Sequence, residues 1–426
     1  MHVDPITRAD LNLFHAEERF SVFHRLNYTV TDGGREEFRG LFERPLSDRS
    51  QIEARQHLLQ QIGHQLQQWP GHVTNGTLHA VEKWLEYPLD PIGETNVSLG
   101  NLFYRWLHPA DYSMIRYSLP HLLDFYDGCQ QVLRILGAFD GNNPLQQELR
   151  QFRYLLQQTG LSRLSVGKKK AGDHYFLTLQ LARLTRTENR KELAELVSLY
   201  YQLDAWYAMA KATKELNLTF PVFRDEEVPF LRTQQLTHLQ LENPVGYDLE
   251  LGPANRLLFL TGANMAGKST LIKSIGIAVY LAHLGMGVPA QKMELSLFEG
   301  LLSNVTITDN VVKGESYFFN EVQRIKKTLE HMMDGRKWLV LIDELFKGTN
   351  VEDARRCSLG RDTGDHPTPQ RPHPTLHASL RDRRLPATRA LNPVPILRNG
   401  GQTRCATFFL PIERRHQRGP YRLPYT

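Results

Sequence analysis

Cysteine is scarce in this 426-residue chain, and long apolar runs are absent. The three cysteines, Cys129, Cys357 and Cys405, are isolated from one another, so the sequence indicates neither a disulfide framework nor a CxxC metal site. No stretch is long and apolar enough for a transmembrane helix, and the first residues lack the basic and apolar regions of a signal peptide. We therefore expect a cytoplasmic protein that makes no membrane contact.

The positive charge of the chain is concentrated in its last part. The net charge is +5, but residues 361–426 hold 12 Arg, no Lys and four acidic residues, which gives that segment +8 and leaves −3 for the remainder. The basicity therefore belongs to the tail, and it is no evidence that the body of the chain binds nucleic acid.

Residues 1–245 are predicted to be mostly helical. Apolar residues fall on one helical face from Ile52 to Leu66, after a stop-and-start signal at residues 45–48. A second stripe runs from Leu196 to Ala210 in a long helix that ends before Pro221. Such stripes indicate core packing rather than chemistry. The Lys168-Lys169-Lys170 run is interpreted as a solvated loop, with a phosphate contact as the alternative.

A phosphate-binding loop is predicted between Leu257 and Thr270. Four apolar residues lead into a turn bounded by Gly262 and Gly267, and Lys268-Ser269-Thr270 then begin a helical pattern. The two glycines let the backbone approach phosphate closely, and a helix N-terminus offers free N–H groups to an anion. In this motif the lysine reaches the β- and γ-phosphates and the hydroxyl of Ser269 ligates Mg²⁺.

A second apolar run, Trp338–Ile342, is predicted to be a buried strand, and it ends in two acidic residues. Asp343 is expected to hold Mg²⁺ through water, and Glu344 to orient or deprotonate the attacking water. A solvated turn is the alternative for such a pair, but the phosphate loop upstream favours the catalytic interpretation.

These motifs resemble the MutS proteins of DNA mismatch repair. The loop Thr261–Thr270 is similar to that family's Thr-Gly-Pro-Asn-Met-Gly-Gly-Lys-Ser-Thr and departs from it at Ala263 and Ala266. Residues 314–322 resemble the family signature Gly-x-Ser-Thr-Phe-x-x-Glu, and residues 343–350 match its acidic strand end and Gly-Thr turn. Residues 26–35, 45–48 and 203–223 resemble the MutS core and the helix that leads to the ATPase. The resemblance covers about residues 10–357.

The resemblance implies ATP and Mg²⁺ as cofactors. It implies a nucleotide site that includes the following residues: Gly262, Ala263, Asn264, Met265, Ala266, Gly267, Lys268, Ser269, Thr270 and Gln291. Ser316 would reach the γ-phosphate bound by the partner subunit of a homodimer, although an ordinary helix N-cap is also compatible with this serine. Lys268 and Glu344 would be catalytic, and Ser269 and Asp343 would hold the metal ion.

Two departures from the family pattern stand out. The mismatch-reading domain should precede the core, yet the core begins here within the first thirty residues, so direct mismatch recognition of the usual kind is not expected.

The second departure lies in the tail. From about Gly360 the sequence becomes rich in Arg, Pro and His and shows no periodicity. One back-translation of Leu376–Leu385, moved one base forward, reads Ser-Thr-His-Leu-Tyr-Glu-Ile-Ala-Asp, and Ser-Thr-His ends a strand in the family. We hypothesise a frameshifted tail, with a disordered nucleic-acid-binding tail as the alternative.

The predicted fold is multidomain, α and α/β. A helical core and lever domain (1–245) precedes a truncated P-loop ATPase domain of the ABC type (246–359) and an aberrant tail (360–426). The predicted function is a DNA-dependent ATPase, a clamp on mismatched or branched double-stranded DNA in mismatch repair or recombination control, associated with the nucleoid. The alternative is a non-hydrolysing or inactive nucleotide- and DNA-binding protein. A P-loop kinase or GTPase is disfavoured, because neither needs residues 314–322.

Overall fold

Helices make up most of the chain up to residue 215, and strands alternate with helices after that point. The computed structural model describes residues 1–89, 104, 106–136, 146–159, 179, 182–263, 267–305, 317–343 and 403–409. The α-helices described are α1 (Pro5–Asp10), α2 (Val22–Leu26), α3 (Asp32–Glu43), α4 (Arg49–His64), α5 (Asn75–Glu86), α6 (Pro109–Leu136), α7 (Gln146–Gln158), α8 (Arg190–Glu215), α9 (Lys268–His283) and α10 (Tyr317–Met332). The strands are β1 (His2–Val3), β2 (Val222–Arg224), β3 (Leu231–Leu236), β4 (Tyr247–Leu251), β5 (Leu257–Ala263), β6 (Lys292–Ser296), β7 (Gly300–Asn304), β8 (Trp338–Asp343) and β9 (Thr403–Phe409).

The helical signals in the sequence are confirmed. Helix α4 begins after Asp48, whose carboxylate accepts a hydrogen bond from the Gln51 N–H at 2.9 Å, as an N-cap residue does. The apolar stripe of α4 is buried, and so are Leu196, Leu203, Trp206 and Ala210 of α8. Helix α8 packs against α3, α4, α5 and α7, and it is therefore the central helix of the helical part.

A buried carboxylate fixes α8 to the start of α3. Asp204 is fully buried and accepts hydrogen bonds from the Val30 N–H at 3.1 Å, the Thr31 N–H at 2.8 Å and the Thr31 hydroxyl at 2.6 Å. A Cβ at Gly34 would lie 2.1 Å from the same carboxylate, so only glycine fits there. Burial raises the pKa of Asp204, although these hydrogen bonds act against that shift.

We expect Asp204→Ala to lower the free energy of unfolding by about 3 kcal/mol, because it leaves three donors without an acceptor, two of them on the buried Thr31. Chemical denaturation followed by circular dichroism would measure the change. Asp225→Ala is the matched control: that side chain is 88% exposed in its ion pair with Arg49, so a change within about 0.5 kcal/mol is expected. Equal effects of the two substitutions would contradict the importance of the Asp204 network.

Two sheets follow the helical part. The first has the order β1-β7-β8-β9-β5, with β1, β7 and β8 parallel and β9 antiparallel to both of its neighbours. The second has the order β2-β6-β3-β4, with β2 and β6 parallel and the other pairs antiparallel. The described chain is thus helical with α/β sheets, and parallel strands are present as the sequence indicated.

The sheets extend beyond the predicted boundaries of residues 246 and 359. Strand β1 lies at one edge of the first sheet, beside β7, with His2 opposite Gly300. Strands β2 and β3 also precede residue 246. In the segment predicted to be an aberrant tail, the structure describes β9, which lies between β5 and β8.

Candidate functional site

Strand β5 ends at Ala263 and helix α9 begins at Lys268, so the strand and the helix that the sequence predicted flank the loop. Gly267 has φ +86° and ψ 10°, a left-handed conformation that favours glycine, and its carbonyl accepts the first helical hydrogen bond from Leu271 at 2.9 Å. A Cβ at Gly267 would lie 3.1 Å from the Tyr247 hydroxyl. The helix therefore starts at a glycine, with the backbone N–H groups of its first turn available to an anion.

Two predicted metal ligands, 74 residues apart in sequence, meet at this turn. The Ser269 hydroxyl donates a short hydrogen bond to Oδ2 of Asp343, the last residue of β8. The other oxygen of that carboxylate, Oδ1, is buried without a hydrogen-bond partner among the described residues. Lys268, the first residue of α9, is buried. A hydroxyl and a carboxylate thus meet beside a helix N-terminus whose first residue is a buried lysine.

Several predicted site residues are outside the part of the chain that the structure describes. These are Asn264, Met265, Ala266, Ser316 and Glu344. Gly262 and Ala263 are described through their backbone, as the last residues of β5, where they pair with Arg404 and Thr403 of β9. Thr270 lies in the first turn of α9.

Gln291 lies in the wall of a cavity of about 530 Å³. This cavity is lined by the end of α8, the β3–β4 region and residues 289–291, and Arg25 and His238 contribute to its walls. The Gln291 N–H donates to the Gln234 carbonyl at 2.9 Å. No contact described here joins the Gln291 side chain to Ser269 or Asp343, so its predicted role stays a prediction.

Tyr247 is a neighbour of the turn that sequence reasoning missed. It opens β4, and its hydroxyl is close to Gly267. The sequence signal was weak, since β4 lies ten residues upstream of β5 and its exposure alternates as in any half-buried strand.

The opposite end of α9 is anchored in the helical part. The Tyr280 hydroxyl donates to the Phe42 carbonyl, and Nη1 of the buried Arg55 donates to the Leu284 carbonyl at 3.2 Å. His283 is fully buried: Nδ1 is 2.9 Å from the Leu46 carbonyl, and Nε2 is 3.3 Å from the Phe298 N–H. A neutral ring with its proton on Nδ1 satisfies both contacts.

The pH dependence of stability should show the effect of burying His283. Burial lowers the pKa of His283 from 6.5 to about 4, although its hydrogen bond to Leu46 opposes the shift. The unfolded chain therefore binds a proton that the folded chain does not, and stability falls as the pH drops from about 6.5 towards 4. The shift corresponds to about 3 kcal/mol over that interval.

The measurement is the free energy of unfolding of the wild type and of His283→Gln at several pH values. Carboxylates also titrate in this range, so the informative quantity is the difference between the two proteins at each pH. We expect the variant to be less stable at pH 7 and the difference to shrink towards pH 4. A difference that is constant with pH would show that His283 is not the titrating group.

The described helices and sheets define an α and α/β protein, in which the start of α9 lies beside the acidic end of β8. The family model described as MutS domain V matches residues 258–360. The chain is 32% identical over 168 residues to the DNA mismatch repair protein MutS of Oleidesulfovibrio alaskensis, covering 38% of this chain and 18% of the relative. It is 31% identical over 196 residues to MutS of Thermus thermophilus, covering 45% and 23%. It is also 32% identical over 160 residues to the DNA mismatch repair protein MSH3 of Vanderwaltozyma polyspora, covering 36% and 15%.

Residues 258–360 thus match a MutS domain, and the matched part of the chain is similar to MutS proteins. The matched region spans less than a quarter of the length of each of these relatives. Within the described residues, no helix has the length and apolar character needed to span a bilayer.

Proposed function

We propose that the chain is a DNA-binding ATPase of the MutS type that acts in mismatch repair or recombination control. The observation that carries the proposal is the contact between Ser269 and Asp343 beside the N-terminus of α9. The names of the similar proteins, which are DNA mismatch repair proteins, support the same assignment.

The residues at the turn fit a Mg²⁺–nucleotide. Ser269 and Asp343 would hold Mg²⁺, and the buried Oδ1 of Asp343, which has no hydrogen-bond partner among the described residues, is an acceptor that a cation would satisfy. When bound, the ion neutralises phosphate charge. Lys268 binds the β- and γ-phosphates, and the backbone of residues 262–267 and Thr270 surround them. Glu344 orients the attacking water, and Gln291 contacts the nucleotide from the cavity beside β3.

The proposed partner is double-stranded DNA, mismatched or branched, enclosed by a homodimer. ATP binding closes the dimer and hydrolysis reopens it, because Ser316 of each subunit completes the nucleotide site of the other. On this proposal, the dimer recognises its DNA through the shape of the duplex and through contacts to the sugar–phosphate backbone. The cytoplasm, with association to the nucleoid, is the proposed location.

The test is the rate of ATP hydrolysis with and without branched duplex DNA, for the wild type and Glu344→Gln. We expect DNA to stimulate the wild type, and the variant to lose at least about 100-fold in turnover because water is no longer oriented. Binding of a fluorescent ADP should be retained by Glu344→Gln and weakened by Ser269→Ala. Asp225→Asn, a change at an exposed side chain, is the control for both measurements.

Wild-type turnover that is insensitive to DNA would contradict the DNA-dependent assignment. Turnover that persists in Glu344→Gln would remove that residue from the reaction. Transfer of phosphate to an acceptor other than water would indicate a P-loop kinase instead.

A second candidate function is a nucleotide- and DNA-binding protein that does not hydrolyse ATP. Two observations favour it: the family match ends at residue 360, and an antiparallel strand from the tail lies between β5 and β8. On this proposal the tail results from a frameshift and does not supply the strand that an active site needs. Sequencing the gene around codon 360 and finding the frame as given, with no insertion or deletion, would remove the frameshift hypothesis.

Proline substitution in β9 tests whether the tail supports the sheet. Ala406 pairs with Leu260 on one side and Asp343 on the other, so Ala406→Pro should remove interior ladder hydrogen bonds and lower the Tm by several degrees. Ala406→Ser, which keeps the backbone N–H, is the matched control, with a much smaller expected change. An unchanged Tm in Ala406→Pro would favour the frameshift hypothesis, and the chain re-expressed with its frame shifted by one base near Gly360 should then gain stability and turnover.

A further inference from the structure

Helix α1 is bound to the end of β7 by a buried carboxylate. Asp10, the last residue of α1, is 2% exposed, and its Oδ2 accepts hydrogen bonds from the Ser303 hydroxyl at 2.5 Å and the Val305 N–H at 2.9 Å. The Thr7 hydroxyl accepts from the Ser303 N–H at 2.8 Å. Residues at the end of β7 are therefore hydrogen-bonded to α1, which is about 300 residues away in sequence.

The same short helix holds α10 through Arg324. Nη2 of this arginine donates to Oδ1 of Asp4 at 3.0 Å, to the Ser303 carbonyl at 2.8 Å and to the Thr7 hydroxyl at 3.3 Å, and Nη1 donates to Oδ2 of Asp4. The side chains of Arg324 and Asp4 are only 10% and 18% exposed. Water screens such a weakly exposed ion pair little, so the attraction between the two side chains is strong. Because the guanidinium is planar and donates to both carboxylate oxygens, it fixes the distance and the orientation of α10 relative to α1.

Asp4 has a second task in this arrangement. Its Oδ1 caps α1 by accepting from the Thr7 N–H at 2.8 Å. Burial acts to raise the pKa of Asp4, but its hydrogen bonds with Arg324 and Thr7 outweigh that effect and lower the pKa overall. Asp4 is thus ionised at neutral pH, and one carboxylate links the start of α1 to the guanidinium on α10.

We propose that Asp4, Asp10 and Arg324 form a clasp, the α1 clasp, that positions helix α10. The clasp fixes the chain on both sides of residues 306–316, at Val305 and at Arg324. Its three residues are positioning residues, and their described hydrogen bonds go to α1, to the end of β7 and to α10. The consequence for catalysis rests on the proposed function, in which Ser316, directly before α10, completes the partner subunit's site.

Hydrogen exchange tests the clasp independently of any activity. In Arg324→Met, amides of α10 should exchange about tenfold faster than in the wild type, whereas α8, which the clasp does not touch, should be unchanged. Arg324→Lys keeps the positive charge but loses the paired N–H donors of the guanidinium, so its α10 amides should exchange at an intermediate rate. Lys326→Met is the matched control: that lysine is 68% exposed on the same helix, 3.9 Å from Glu330, and its loss should leave exchange unchanged.

Asp4→Asn provides a second route to the same answer if Arg324→Met folds poorly. It should accelerate exchange in α10 as Arg324→Met does, and the double variant should add little to either single change, because both remove the same pair. Unchanged exchange in Asp4→Asn, or equal acceleration by Lys326→Met, would overturn the clasp.

The catalytic consequence is measured as a split between turnover and affinity. With saturating ATP, Arg324→Met should lower turnover about tenfold, while affinity for fluorescent ADP changes less than about twofold. If Arg324→Met shows faster exchange in α10 but full turnover, the clasp holds α10 in the wild type without affecting hydrolysis. That result would overturn the catalytic part of the proposal. Absence of turnover in the wild type would instead contradict the proposed function, and the exchange result would still decide whether the clasp exists.

Discussion

Burial of helix α9 is the constraint on which the rest of the structure depends. Thirteen of its 16 residues are buried, so neighbours must cover it on nearly every side. At Gly276 the packing is so close that a Cβ would lie 2.7 Å from both Leu11 and Leu341. The helix therefore cannot move alone: its first turn faces Asp343, and its last turn is bonded to Phe42, Leu46 and Arg55.

A consequence is that the helical part and the sheets share one hydrophobic core. A single buried cluster includes Phe38 of α3, Leu203 of α8, Ile275 of α9 and Leu339 of β8. The secondary structure changes from helices to strands after residue 215, and packing is continuous across that point. A phosphate held at the start of α9 is therefore connected, through packed side chains, to the helices that would carry the motion in the proposed clamp.

Local signals were sufficient to predict much of the fold and part of the site. The N-cap at Asp48, the stripe of α8, the strand before Gly262 and the apolar strand before Asp343 are all encoded by residues close together in sequence. The positions of β1, α1 and β9 could not be predicted in this way. The contacts of Asp10 with Ser303, and of Arg324 with Asp4, join segments about 300 residues apart. No local sequence pattern around these residues predicts which distant residue each one contacts. For the same reason, Tyr247 and the anchoring role of His283 emerged only from the folded chain.

The carboxylate of Asp343 links stability to the proposed chemistry. An oxygen buried without a hydrogen-bond partner costs free energy, and Oδ1 of Asp343 has none among the described residues. A cation shared with Ser269 would remove that cost, and it binds the folded chain only, because the two residues meet only after β8 and α9 have packed. Binding of the proposed Mg²⁺–nucleotide at this point would thus stabilise the fold by mass action. The carboxylate whose buried oxygen costs free energy is then the carboxylate that would bind the proposed ion, so folding and the proposed nucleotide binding would depend on the same residue.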